Sequence, residues 1–435
     1  MYRSKNKYSV LMIKMRRGVI FVKKTVLWGC GAGFRMILNI FPSLIDYVDV
    51  FVDRNPCIIQ GISVKSTETL AYTDVGMLII CSYKFEEKIR SEAIEKYHID
   101  VDKIISLNQY LLHQLNTCKD FLLHPTQIAI DASTMCQLNC RDCYMRRGDN
   151  GTMGHGYLKL ENFRKIIENN PTIKHIELSN SGEVFLNPDL KSIIHTAAEN
   201  NISLSMENGV NFNDVSEDII LEMVLTQAVK SISIALDGAS QHTYEIYRRK
   251  GRFDRVIDNI RKLNEMKEKY NSEYPVLKWS YIIFEHTEED VGLAKKMADE
   301  LGMEIFFSLA WEIQEGWQPK NAEKLKELTG LEYFTRKDYS EQKKQNYMIN
   351  VCSQLFTSPY FNWDGRLLGC CWVYTSDWKK NIFKNSLVEL VNSEQYRMAL
   401  CMVLGGDVIR DDLQTPCSIC SMRNEYLRGT STRLF

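Results

Sequence analysis

The sequence predicts an α/β chain: a partial (β/α)6 barrel of the TIM type, flanked by an N-terminal α/β domain and a small Cys-rich C-terminal domain. Three observations predict it. Across residues 125–310, short apolar runs alternate with amphipathic stretches six times, as a parallel sheet with helical crossovers requires. The same alternation, less regular, fills residues 1–118. Six of the thirteen cysteines fall in 350–435, an irregular stretch of the kind held together by metal rather than by an apolar core.

In the first block, residues 25–29 form an apolar run ending in glycine. Amphipathic 34–41 follows, then a second run, 48–52, ending at Asp53. A buried-strand pattern at 75–81, a helical one at 85–97 and a short strand near 103–106 complete it. Gly29-Cys30-Gly31-Ala32-Gly33-Phe34 joins the first run to its helix. Glycines there would let a phosphate approach the helix N-terminus, and Asp53 could reach a ribose hydroxyl. Phe34 occupies the third fingerprint position counted from Gly29, so two readings stay open: a nucleotide, nucleotide-sugar or sugar-phosphate site, or a structural or docking role.

In the barrel, strands are expected at 127–131, 175–179, 203–207, 231–236, 279–284 and 304–308, with helices at 160–169, 189–200, 254–270 and 288–301 between them. Chemistry in such a barrel sits at the C-terminal strand ends. Residues 311–349, polar and rich in Lys and Glu, form a connector with one helix, and 350–435 the last domain.

Hydrophobic residues at 45% and charged ones at 25% are ordinary globular values, and a net charge of −1 supplies no field to draw nucleic acid or an anionic membrane. Nine Lys/Arg precede the first acid, Asp46, and read as a solvated basic tail. No early run reaches the ~7–15 residue core of a signal peptide, and none the ~20 residues of a membrane span. A cytoplasmic protein is expected, where thiols stay reduced and read as core residues, metal ligands or catalysts.

Just after the first barrel strand comes Cys136-Gln-Leu-Asn-Cys140-Arg-Asp-Cys143. Three thiolates on one loop can hold three irons of a [4Fe–4S] cube and leave the fourth iron open. A structural zinc site is the alternative, though zinc spacings normally add a second Cys or His pair.

Further segments carry a resemblance to the radical S-adenosylmethionine (SAM) superfamily. After the second strand, Ser181, Gly182 and Glu183 resemble the family's Gly-Gly-Glu-Pro segment, with serine for the first glycine and the proline displaced to Pro188. Glu207-Asn208-Gly209 resembles its Thr-Asn-Gly. Ser233 and Asp237-Gly238 resemble its Ser-x-Asp-Gly at longer spacing, and Arg248 stands where relatives pair an arginine with the SAM carboxylate. Asp142 stands where an aromatic residue is common, and Tyr144 follows the third cysteine instead. The resemblance implies a SAM-binding [4Fe–4S] cluster, reductive cleavage of SAM to a 5′-deoxyadenosyl radical, and a reducing partner such as flavodoxin or ferredoxin.

At the C-terminus, Cys352, Gly365-x4-Cys370 and Cys417-x-x-Cys420 resemble the twitch or SPASM extension of this superfamily. That implies one auxiliary [4Fe–4S] cluster on these four cysteines, with zinc as the alternative. Cys371 and Cys401 remain. Both read as packed residues, or one as a hydrogen donor to a substrate radical. The N-terminal block resembles the Rossmann-like domain of sugar-modifying and polysaccharide-assembly enzymes. The resemblance therefore implies hydrogen abstraction from a sugar, nucleotide-sugar or other small polyol, by dehydrogenation or epimerisation. A peptide-modifying enzyme is the alternative, and a non-catalytic zinc- or cluster-stabilised binding module a distant one. Glu312, Glu315 and Asp364 are candidate acid/base residues.

Overall fold

The computed structural model describes residues 23–145, 153–311, 313, 316–372, 378–406 and 415–423. Residues 1–22 of the basic tail, Glu312 and Glu315 lie outside the described residues, while two of the nine basic residues are not tail at all: Lys24 opens the strand Lys24–Trp28 and Arg35 lies on the helix Ala32–Ile40. The chain forms two compact units that divide between Leu122 and Leu123.

The first unit is a six-stranded sheet: β1 (Lys24–Trp28), β2 (Val50–Asp53), β3 (Cys57–Ile59), β4 (Ile62–Ser66), β5 (Val75–Ile80) and β6 (Ile104–Ser106). Its parallel strands lie in the order β4-β2-β1-β5-β6, that of a doubly wound sheet with the switch point between β1 and β5. β3 folds back antiparallel on β4 through Gln60–Gly61, both at positive φ, a hairpin turn not expected from the sequence. Val26, Trp28, Val52, Leu78, Ile80 and Ile104 form its core. Gly29, at φ +108°, lets β1 leave the sheet against β5, because a Cβ there would meet the Cys81 carbonyl oxygen at 2.6 Å. Asp53 holds this turn, the structural one of its two open readings: its Oδ2 accepts the Cys30 N–H at 2.7 Å and its Oδ1 the Asn55 N–H at 3.1 Å.

In the second unit, β7 (Gln127–Ile130), β8 (His175–Glu177), β9 (Ser203–Val210), β10 (Val229–Ala235), β11 (Val276–Ile282) and β12 (Glu304–Ser308) lie side by side in chain order, all parallel. This is the expected partial barrel, and it is not closed. Beyond β7 the C-terminal segment adds β13 (Tyr360–Phe361), parallel to β7, and β14 (Leu367–Gly369), antiparallel to β13. Strands of two and three residues have no periodicity to read; the pairing of β13 with β7 and of β14 with β13 creates them. The connector holds two helices rather than one. Gly330, at φ +75°, ends Ala322–Thr329, and the Thr335 side chain caps Arg336–Lys343 by accepting the Asp338 N–H.

One face of the barrel sheet is apolar. Ile128, Ile130, Ile176, Leu204, Ile232, Ile234, Leu277 and Trp279 are buried along it, with the helix Leu190–Glu199 against β9 and Val291–Glu300 against β12. Each such side chain contributes about 1.5–3 kcal/mol. No helix among the described residues is long and apolar enough to cross a membrane.

Candidate active site

The cysteine loop starts where β7 ends and is tied down along its length. Thr134 N–H donates to the Gly156 carbonyl at 3.0 Å and Asn139 N–H to that of Arg249 at 2.9 Å. Gln137 Nε2 donates to Asn211 Oδ1 and Asp214 Oδ2, each at 3.0 Å. Burial pushes the Cys136 thiol up to about 12, with the charges of Glu183, Cys140 and Cys143 adding to it. Burial raises Cys140 as well, opposed by Arg248, so the three thiols lie within one another's field. Among the described residues no three His, Cys, Asp or Glu side chains converge to hold a single metal ion. A cube makes no such demand, since each thiolate takes its own iron. Around the loop, Asp131 Oδ1, Asn180 Nδ2 and Ser233 Oγ are buried without a hydrogen-bond partner, the pattern a polar ligand would complete.

The other expected site residues surround this loop. Gly182, at φ +67°, presses on the backbone ahead of Cys136: a Cβ there would lie 2.4 Å from the Ser133 carbonyl oxygen and 2.7 Å from Thr134 Cα. Glu183 N–H donates to the Met135 carbonyl at 2.7 Å, zipping the two loops together. The Glu183 carboxylate is buried and accepts the Asn211 N–H at 2.6 Å. Burial raises its pKa to about 7, against the pull of the Asn211 and Phe185 N–H groups. Asn208 is exposed, its side chain donating to Asn180 Oδ1 at 3.1 Å. Asp237 is fully buried, taking the Arg248 Nε–H at 2.6 Å on one oxygen and the Ile282 N–H at 2.8 Å on the other. It therefore stands behind Arg248, whose Nη1 reaches Cys140 Sγ at 3.9 Å.

Two residues that the sequence reading passed over join this site. Tyr360, on β13, donates its O–H to Asp131 Oδ2 at 2.5 Å and lies 3.0 Å from Ser181 Oγ, which lies 2.7 Å from the Tyr144 hydroxyl. Burial raises Asp131 to about 8, although the Tyr360 bond pulls the other way. The carboxyl at the end of the first strand was legible in the sequence; its tyrosine partner, 229 residues away, was not.

The concave face of the barrel sheet is polar. Strand register places Gln127 beside His175, His175 beside Ser203 and Glu177 beside Ser205. It also places Ser231 beside Ser205, Ser233 beside Lys278, and Lys278 beside Glu304. Glu177 accepts from the hydroxyls of Ser179 and Ser205 and from the Glu207 N–H. His175 bonds Ser203 and Ser205, each at 2.9 Å, and burial lowers its pKa, which favours the neutral ring. Lys278 Nζ pairs with Glu207 at 2.9 Å, both half-buried. The period-two alternation His-x-Glu-x-Ser, Ser-x-Ser-x-Glu and Lys-x-Ser was the available signal, because parallel strands covered on both faces read as continuous apolar runs.

Of the C-terminal cysteines, Cys352, Cys370, Cys417 and Cys420 lie in one another's field. Cys370 and Cys420 help raise Cys352 beyond the effect of burial, and Cys370, Cys352 and Cys420 do the same for Cys417. Cys371 turns elsewhere. It packs with Cys143 and Tyr144 around Ala129, Met145, Met153, Tyr360 and Leu368, beside the first cysteine loop. Cys401 is buried on the helix Glu394–Val403, where burial pushes its thiol up to about 11. Asp364 is occupied by Arg366, 2.7 Å away.

Residues 130–291, spanning Cys136 to Arg248, match the family described as the Radical SAM superfamily. Among solved structures, the chain is similar to Streptococcus suis SuiB bound to S-adenosylmethionine, at 13% identity and TM-score 0.49, covering 78% of this chain and 82% of SuiB. It is also similar to BtrN in complex with AdoMet and 2-DOIA, at 12% identity and TM-score 0.38, over 64% of this chain and 87% of BtrN. Coproporphyrinogen III oxidase (HemN) from Escherichia coli follows at 13% identity and TM-score 0.31, over 50% and 53%. No curated protein matches the sequence.

Proposed function

We infer that this chain, a radical SAM enzyme by its domain at residues 130–291, takes a hydrogen atom from a sugar, nucleotide-sugar or other small polyol, leading to dehydrogenation or epimerisation. The observation that carries the substrate class is the hydroxyl- and charge-lined concave face, with Ser203, Ser205, Ser231, Ser233, Glu177, Glu207, His175 and Lys278 on one surface. These groups largely bond one another, and a polyol's hydroxyls can join that network, whereas an apolar substrate would leave the unpartnered Ser233 Oγ unpaired at about 1–3 kcal/mol.

Cys136, Cys140 and Cys143 would hold a [4Fe–4S] cluster, which when bound supplies the electron that cleaves SAM and so generates the hydrogen-abstracting radical. The residues around it divide the remaining work. Gln137 and Asn139 keep the loop in place before any ligand arrives. Arg248, fixed by Asp237, offers a guanidinium to a carboxylate at the loop. Ser233 Oγ and Asn180 Nδ2 are free to bond a polar ligand. Dehydrogenation of the substrate radical releases the hydroxyl proton and one electron. Glu207, on the concave face and paired with Lys278, is the proton acceptor in this reading, and the electron goes to the auxiliary cluster that Cys352, Cys370, Cys417 and Cys420 would hold. Epimerisation needs a thiol hydrogen instead. Cys371, beside Tyr144 and Cys143, is better disposed for that than the helix-buried Cys401. Cys352, Cys370, Cys417 and Cys420 form the proposed auxiliary-cluster ligand set, with the N-terminal unit as a Rossmann-like accessory domain.

The test is anaerobic reconstitution with iron counting, followed by SAM and dithionite. About eight irons per chain are expected, falling to about four in Cys417→Ala, since each cube carries four. Cys136→Ala should abolish 5′-deoxyadenosine. Deuterated polyols should pass deuterium into 5′-deoxyadenosine. Transfer from a peptide instead would replace the polyol reading, and zinc without iron or deoxyadenosine would overturn the enzyme assignment at these cysteines.

A further inference from the structure

We propose that Arg336, held against the rings of Trp311 and Tyr347 beyond the C-terminal end of β12, receives an anionic group of the substrate, a phosphate or a carboxylate. The inference rests on the small-polyol reading and narrows it to a negatively charged sugar or sugar acid.

The position is rigid. Three residues past β12 stands Trp311, and the backbone there pairs with the segment leading into the helix Arg336–Lys343: Ala310 N–H donates to Phe334 and Arg336 N–H to Ala310, both at 3.0 Å. The guanidinium carbon lies 3.7 Å from the Trp311 ring centroid and 5.2 Å from that of Tyr347. Trp372, next to Cys371, lies 5.6 Å from Trp311 with its plane tilted 31°. The last barrel strand, the connector and the Cys370–Cys371 loop thus meet around one cation.

Among the described residues that cation has no counter-charge. Its Nε donates to the Leu309 carbonyl at 3.4 Å, its Nη1 is buried without a hydrogen-bond partner, and no carboxylate pairs with it among the described residues. Burial pulls its pKa below the usual arginine value, with only Tyr347 and Cys371 opposing. A buried guanidinium is expensive without a partner, and its planar fork, already stacked, is organised for two oxygens of an incoming anion. Cys371, whose charge acts on Arg336, packs against the same buried cluster as Tyr144 and Cys143 of the first cysteine loop. An anionic group on Arg336 would therefore tether a substrate whose carbon skeleton extends toward that loop.

Isothermal titration of the reconstituted full-length enzyme with glucose 6-phosphate, glucuronate and glucose tests this. One of the charged sugars should bind at least 10-fold tighter than glucose, and which one does so separates phosphate from carboxylate. Arg336→Met should weaken that binding roughly 10- to 100-fold, the range of a charge-assisted bidentate contact. Arg336→Lys, which keeps charge and stem, should lose less. Equal binding of charged and neutral sugars, no binding of either charged sugar, tighter binding of an acidic peptide, or wild-type affinity in Arg336→Met would each overturn the proposal. Formation of 5′-deoxyadenosine without substrate is read in parallel. Its absence in the wild type counts against the radical reading and leaves the anion site to be judged by the titration.

Discussion

The buried pair Asp237–Arg248 offers the sharpest test of how this site is built. Asp237 has no exposed side-chain surface and Arg248 has 17%, at a separation of 2.6 Å. Asp237→Ala would strand a buried guanidinium, at about 3–5 kcal/mol. It would also leave the Ile282 N–H without its acceptor, at about 1–3 kcal/mol. A total loss of about 4 kcal/mol or more is expected in the second unit. Removing both charges with apolar residues of similar volume, Asp237→Leu with Arg248→Met, should cost at least about 2 kcal/mol less than Asp237→Ala, because no charge is then left unpaired. Urea denaturation of the full chain reads the difference. If the two units unfold together, hydrogen exchange along β10 and β11 reads it locally. Both variants should lose SAM affinity and deoxyadenosine formation by at least about 10-fold, since the guanidinium at Cys140 is misplaced in one and missing in the other. A loss below about 1 kcal/mol in Asp237→Ala, or a double variant that costs the sum of its singles, would refute the reasoning.

Two further outcomes follow from the same geometry. Gly182→Ala combines a left-handed backbone with a Cβ 2.4 Å from the Ser133 carbonyl oxygen, so it should cost about 2–5 kcal/mol and lower iron retention. Gly33→Ala, on the helix Ala32–Ile40 with nothing within 4 Å, should be neutral or stabilising by up to about 1 kcal/mol in thermal melts. Asp131, raised to about 8 by burial, stays protonated in the folded chain where the unfolded chain ionises near pH 4. The stability it confers is fully present below about pH 4 and is lost as pH rises toward 8, at no more than about 1.4 kcal/mol per pH unit. Melting curves of Asp131→Asn from pH 5 to 8.5 should be flatter than wild type, and an unchanged slope would exclude Asp131 as the titrating group.

What the sequence determined by itself is what local chemistry and periodicity encode. The six strands β7–β12 were readable because each is an apolar-containing run followed by an amphipathic helix, and Glu304–Ser308 falls where expected. The Cys136–Cys140–Cys143 loop was readable because three cysteines spaced so closely mark a candidate ligand set. Glycines such as Gly29 and Gly182 announced tight backbone, although what they press against came from the fold. Only the tertiary structure decided the partners. Tyr360 meets Asp131 because a two-residue strand from the C-terminal segment pairs with β7, and two residues carry no period. Asp237 meets Arg248, and Asp53 the Cys30 N–H, because each carboxylate takes a donor that folding supplies. Arg336 is one more polar residue in a Lys/Glu-rich connector until Trp311 and Tyr347 converge on it. Side chains distant in sequence carry no record of their distance in space, so the strand ends could be foreseen while the contacts between them could not.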